Sequence, residues 1–144
     1  MNGFQLTGSG CVKLEWIDMN DHMNTTWHAM LFDDATFQLA DKIGINQETM
    51  KQGTPMIVAG RLTMSFRKEL LKWDRYEVWS GFVAVAAEGV TVTHRLKANN
   101  VICSSCDMRC QFLDPKTRKR TILSEDLVRR AQSYLILGIT DPFM

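Results

Sequence analysis

Between Asn24 and Gly44 the apolar positions Ala29, Phe32, Ala35, Leu39, Ala40 and Ile43 recur at helical spacing. Trp27, Met30, Leu31 and Phe37 make most of the remaining surface of that segment apolar as well. A helix apolar on nearly every side predicts an element that other parts of the chain must wrap. Asn24, Thr25 and Thr26 are all suited to start it, because their short polar side chains can accept from the first free amides. Gly44 suits its end, where the chain must enter the left-handed region.

The rest of the chain changes period. Cys11 to Asp18 alternates loosely and predicts a strand that delivers the polar turn before the helix. Asn46 to Pro55 is polar and reads as a loop with room for a short helix. Strands are then predicted over 56–69, 75–87, 90–101 and 104–113, with turn chemistry at Glu88-Gly89, Asn99-Asn100 and Asp114-Pro115-Lys116. Consecutive strands with short links favour antiparallel pairing. One helix laid across one antiparallel sheet is an α+β arrangement. Ser124 is placed to cap a last helix from Glu125 to about Tyr134.

Composition narrows the class. A chain of 144 residues suits one domain, 1–144, with a core over about 10–114 and a C-terminal extension over 115–144. No apolar run is long enough to span a bilayer, and the start MNGFQLTGSG has neither the basic region nor the apolar core of a signal peptide. Four cysteines without a secretion signal read as reduced thiols, which places the protein in the cytoplasm. A net charge of +1 argues against nucleic acid as a partner.

The candidate chemistry sits just ahead of the long helix, in Asp18-Met19-Asn20-Asp21-His22-Met23-Asn24. Asn24 is explained by helix capping alone. Capping does not require an acid, an amide and an imidazole together; the spacing leaves open both a polar turn whose side chains satisfy backbone groups and a trio suited to carbonyl chemistry. The free N–H groups and positive dipole end of a helix attract an incoming oxygen. An acid beside them can serve as base or nucleophile, with Asn20 and His22 orienting it or a water.

The pattern D-x-N-x-H-x-N followed by a long apolar helix ending in glycine resembles the hotdog-fold thioesterases, which cleave acyl-CoA or acyl-carrier-protein thioesters. The segment W-I-D-M-N-D-H-M-N is also similar to small thioesterases encoded with carnitine and betaine catabolism. The likeness covers roughly 10–113 and matches the order of one strand, one helix and four strands. It implies a curved antiparallel sheet wrapped around the central helix. It also implies Asp18 as general base or nucleophile, assisted by Asn20 and His22. The N–H near Thr25 would polarise the thioester carbonyl, with Asn24 and Trp27 beside the substrate. Glu69, in Ser65-Phe66-Arg67-Lys68-Glu69-Leu70, resembles the glutamate that completes the site in some members, and reads equally as a solvated strand-end acid among Arg67, Lys68 and Lys72. Many relatives carry glycine where Asp21 stands and tyrosine where Trp27 or His28 falls. A second carboxylate at Asp21 would be expected to raise one pKa of the pair it forms with Asp18.

No metal or organic cofactor is called for, because a thiolate leaves readily. Cys103, Cys106 and Cys110 lack a fourth ligand for zinc, and strand alternation predicts Cys103 on the opposite face from the other two. Lys116, Arg118, Lys119 and Arg120, with Arg129 and Arg130 downstream, read as a solvated face or as contacts for the phosphates of coenzyme A. His28 and His94 read as packing or surface residues. A single curved sheet leaves an edge open, so a homodimer or dimer of dimers is expected, with the site between subunits. A non-hydrolytic acyl-CoA-binding module and a hotdog dehydratase are the alternative readings.

Overall fold

The computed structural model describes residues 3–144, and its longest helix, α1, spans Thr25–Lys42. Asn24 caps it, its side chain accepting from the Thr26 N–H at 2.8 Å. Gly44 follows the end with a φ of +94°, a left-handed conformation that costs glycine little. Arg130 donates to the Ile43 carbonyl at 3.5 Å, placing a cation at the negative end of the helix. His28, Phe32, Ala35, Thr36, Leu39 and Ala40 form the buried side. The other side is not wrapped as its composition predicts: Met30 and Phe37 remain 47% and 53% exposed.

Six antiparallel strands form the sheet: β1 Gln5–Cys11, β2 Met56–Phe66, β3 Arg75–Ala86, β4 Gly89–Ala98, β5 Val101–Leu113 and β6 Arg120–Thr121. Their order is β1-β3-β4-β5-β2, with the short β6 pairing the end of β5. The α+β expectation therefore holds, with three differences. The first strand lies upstream of the predicted Cys11–Asp18 segment, because that segment folds instead into a 3-10 turn at Leu14–Trp16 and the polar turn. Successive strands β2 and β3 do not pair; the chain leaves α1 for the far edge and β2 joins β5. Strand β2 also stops at Phe66, where the N–H groups of Arg67 and Lys68 both turn to the Cys103 carbonyl, at 2.8 and 3.1 Å. Glu69 consequently sits in a connection and not on a strand.

Two other predicted features resolve clearly. Asn99 and Asn100 have φ values of 53° and 61°, so this pair makes the two-residue left-handed turn that suits a tight hairpin. Asn46 caps a short helix, α2, Gln47–Lys51, through a reciprocal bond pair with Thr49. The last helix, α3, spans Glu125–Gln132 and is capped by Ser124.

The expected split of the cysteines is corrected. The β4–β5 register skips a residue between the pairs Leu96↔Ser104 and Lys97↔Ile102, and this bulge breaks alternation at Cys103. Cys103, Cys106 and Cys110 are all buried in the core. His94 also lies in the core at 0% exposure, bonded to Ser80 at 2.5 Å through Nδ1 and to Thr36 at 2.8 Å through Nε2. It is a packing residue with both nitrogens satisfied.

Beyond α3 the chain crosses the face of the sheet turned away from α1. Phe82 exchanges backbone bonds with Tyr134 and Ile136, at 3.2 and 2.8 Å. The Ile136 side chain fills the space over Gly81, where an added Cβ would meet it at 2.4 Å. Farther along, Asp141 accepts from Thr91, and Arg61 lies over the Phe143 ring at 5.1 Å.

Candidate active site

The turn ahead of α1 is closed by backbone bonds before any side chain acts. Ile17 pairs with Met23, the Asp18 N–H donates to the His22 carbonyl at 3.2 Å, and the Asp21 N–H donates to the Asp18 carbonyl at 2.9 Å. This tight closure forces Asp21 to a φ of 61°. Aspartate tolerates that left-handed conformation better than most residues, and glycine tolerates it best. Asp21 is exposed, and its φ lies where the glycine expected from the resemblance would be at ease.

Asp18 is half-buried, and each of its carboxylate oxygens has a donor. The Asn20 N–H reaches Oδ1 at 2.9 Å and the Asn24 side-chain amide reaches Oδ2 at 2.7 Å. The Asn20 N–H, then the Asn24 amide, hold the Asp18 carboxyl below the usual carboxylate range. The raised value expected from pairing with Asp21 is not found there. Asp18 is ionised at neutral pH and fixed in place.

The helix N-terminus stands directly beside this carboxylate. Thr26 donates to the Asn24 side chain and Trp27 to the Asn24 carbonyl at 3.0 Å, while the Thr25 N–H takes part in neither bond. Asn20 is exposed, and the His22 ring meets the Met23 carbonyl at 3.1 Å through Nδ1. Trp27 stacks on Trp16 at 5.0 Å, and Trp16 in turn lies 6.0 Å from the Tyr76 ring. Its indole thus forms an aromatic wall behind the turn. Glu69 is exposed, yet its neighbour Leu70 accepts from the Met23 N–H at 2.7 Å, so the connection carrying Glu69 is tied to the same turn.

His28, read from the sequence as a packing or surface residue, is buried in this neighbourhood. It is 3% exposed, bonded to Ser104 at 2.7 Å, and edge-on to Phe66 at 5.0 Å. Burial, with a smaller effect from His22, pushes its pKa down to about 4. A histidine one turn into an apolar helix carries no signal in sequence that separates packing from contact with a site.

Other candidates fall elsewhere. Arg129 and Arg130 are engaged by Asp126 at 3.7 and 2.9 Å, and Arg120 is bonded to Gln111. Among the described residues no cluster of His, Cys, Asp or Glu is placed to hold a metal. A cleft of about 880 Å³ opens at the far end of α1, lined by Phe37, Ile45, Met50, Met56 and Ile57 among others.

A long helix against an antiparallel sheet in this strand order, with an anchored carboxylate at the helix N-terminus, defines a hotdog-fold enzyme of the thioesterase class. Residues 12–131 match the sequence model of the thioesterase-like superfamily, and the chain belongs to that family. Solved structures agree on the fold. A Staphylococcus aureus protein determined in complex with CoA superposes with a TM-score of 0.83 at 16% identity, over 91% of this chain and 84% of that one. A Thermus thermophilus thioesterase complexed with coenzyme A and Zn gives 0.79 at 16% identity, over 93% and 96%. A gentisyl-coenzyme A thioesterase gives 0.77 at 10% identity, over 88% and 98%. A search of curated protein sequences gives no match.

Proposed function

We propose that this protein hydrolyses an acyl thioester of coenzyme A or of acyl carrier protein, with Asp18 as the group that acts on the carbonyl. The observation that carries the reading is the anchored, ionised Asp18 carboxylate beside the free Thr25 N–H. The thioester carbonyl oxygen would sit at that N–H, where the positive end of the helix dipole favours the charge that develops on it. In one route Asp18 takes a proton from water as the water oxygen bonds the carbonyl carbon. In the other, a carboxylate oxygen bonds that carbon directly, and water later hydrolyses the anhydride. Either way the C–S bond breaks, the electron pair leaves on sulfur, and the free acid and thiol result. Asn20, His22 and Glu69 assist Asp18, and Asn24, Thr25 and Trp27 position the substrate.

The active unit in this reading is a homodimer joined along β2. That strand pairs only with β5, so its other edge is open. Leu62 and Phe66 on it are 43% and 49% exposed on the side that faces α1, and Met30 and Phe37 of α1 are uncovered as well. Such a surface favours burial against a second copy. A two-fold antiparallel pairing of β2 would bring one protomer's Phe66 end, with its Asp18 turn, against the Met56 end of its partner, where the apolar cleft lies. The CoA-bound structures of similar fold support a CoA thioester as substrate.

The test is thiol release from a panel of acyl-CoA and acyl-carrier-protein thioesters, read with a thiol reagent. Turnover that disappears in Asp18→Asn supports the reading. Tight acyl-CoA binding without thiol release would show a binding module instead, and hydration of a 2-enoyl thioester a dehydratase.

A further inference from the structure

Ser104 is 0% exposed, and its hydroxyl has a single hydrogen-bond partner, the His28 Nδ1. A buried hydroxyl must place its proton on an acceptor, and this nitrogen is the acceptor that it meets. Ser104 therefore donates, Nδ1 accepts, and the imidazole proton resides on Nε2. Burial keeps the ring neutral at physiological pH. Nε2 has no hydrogen-bond partner among the described residues. Among the described residues the one side-chain polar atom buried without a partner is the indole nitrogen of Trp79. The His28 Nε2 is therefore not among the fully enclosed polar atoms, although the residue as a whole is 3% exposed.

The ring is placed toward the candidate site by its position on α1. His28 follows Asn24 by four residues, so the two share one helix face, and Asn24 is the residue that holds Asp18. Helical side chains lean toward the N-terminus, which carries the ring back over the first turn, where Thr25 presents its N–H. Phe66 bounds the ring from the end of the open strand β2. The ring serves Ser104 through Nδ1 alone, which leaves the Nε2–H as a donor that the fold itself does not match.

Building on the thioesterase reading, we propose that the Nε2–H of His28 donates to an oxygen on the acyl group, within about a helical turn, ~5 Å, of the thioester carbonyl. The enzyme then selects acyl groups that carry an oxygen near the carbonyl, of the 3-oxo or 3-hydroxy type, over plain alkyl chains of equal length. A donor that only such substrates satisfy discriminates strongly, because the analogue lacking the oxygen leaves it unpaired.

The experiment compares kcat/KM for 3-oxobutanoyl-CoA and butanoyl-CoA in the wild type and in His28→Phe, which keeps a ring and removes the donor. The wild type is expected to favour the 3-oxo substrate by roughly tenfold or more, and the variant to bring that ratio close to one. Equal rates on both substrates, or a ratio unchanged in a folded His28→Phe, overturn the inference while leaving thioester hydrolysis intact. No hydrolysis of any thioester overturns the underlying reading and this inference with it. Should His28→Phe fail to fold, nitrogen-15 NMR of the catalytically silent Asp18→Asn variant decides. The Nε2–H form, with its resonance shifted by 3-oxobutanoyl-CoA and not by butanoyl-CoA, supports the assignment. The Nδ1–H form, or an equal response to both, overturns it.

Discussion

Asn24 joins the helix to the carboxylate: its Oδ1 accepts from the Thr26 N–H at 2.8 Å while its Nδ2 donates to Asp18 at 2.7 Å. One side chain thereby fixes both the start of α1 and the orientation of the acid. The two roles separate by substitution. Asn24→Ser keeps a good cap but cannot reach Asp18, so it is expected to fold normally and lose about tenfold or more in turnover. Asp18→Asn is expected to lose at least about a hundredfold with its melting temperature nearly unchanged. Thiol-release kinetics beside thermal melts check both; a folded Asp18→Asn that kept half its activity would remove Asp18 from the mechanism.

The acid response of stability should come from histidines before carboxylates. Burial depresses His28 to about 4 and His94 to about 3, against an ordinary 6.5. Between those values and 6.5 the unfolded chain binds protons that the folded one refuses, so stability falls as pH falls through that window. The slope approaches about 1.4 kcal/mol per pH unit for His94, at 0% exposure, and is shallower for the less deeply shifted His28. Asp18 acts lower: its folded pKa is depressed below the ordinary 3.8, so its contribution to stability is full above 3.8 and is lost as pH falls through the folded value. Urea titrations at pH 7, 6 and 5 should show a steady decline, flattened in His94→Asn after allowance for its lower starting stability. An unvarying midpoint across that range would contradict the buried neutral histidines.

Charge placed on the open strand should undo assembly. Leu62→Lys puts an ammonium on the uncovered face of β2 without touching the buried core. Light scattering is expected to show a dimer or dimer of dimers for the native chain and a monomer for this variant, with hydrolysis lost alongside. A native chain that is monomeric and fully active would count against a shared site.

The thiols should divide one against three. Cys11 is exposed, whereas Cys103, Cys106 and Cys110 are buried, and burial pushes the last two up to about 12. A thiol reagent should modify one cysteine per chain quickly and the others only on unfolding. A strong chelator should leave the melting temperature unchanged, since a structural zinc would have added folding energy. Stoichiometric metal with chelator-induced melting would require β5 to be redrawn as a metal loop.

The sequence discloses what local chemistry decides. The period of Phe32, Ala35 and Leu39, the caps at Asn24 and Ser124, and the Asn99-Asn100 turn each depend on near neighbours, and each is legible. Polar turn residues ahead of the helix are legible for the same reason. Long-range pairing is not. Nothing in Gln5–Cys11, with two glycines, announces a strand; β3 supplies its order through the pairs Gln5↔Ser80 to Cys11↔Arg75. The bulge that turns Cys103 inward arises from register with β4, which no alternation count along β5 can contain. His28 is silent for a like reason, since its partner Ser104 lies 76 residues away.

The chain end drawn across the outer face has a consequence for architecture. Ile136 sits on Gly81, Asp141 holds Thr91 in β4, and Phe143 reaches Arg61 in β2. Sheets that stack back to back need a bare, level surface, and here the protein's own last residues occupy it. Growth past a pair along that face would first have to peel the strap away. The two faces of the sheet are therefore unequal: the protein's own last residues cover one of them, while the β2 edge has no strand beside it among the described residues.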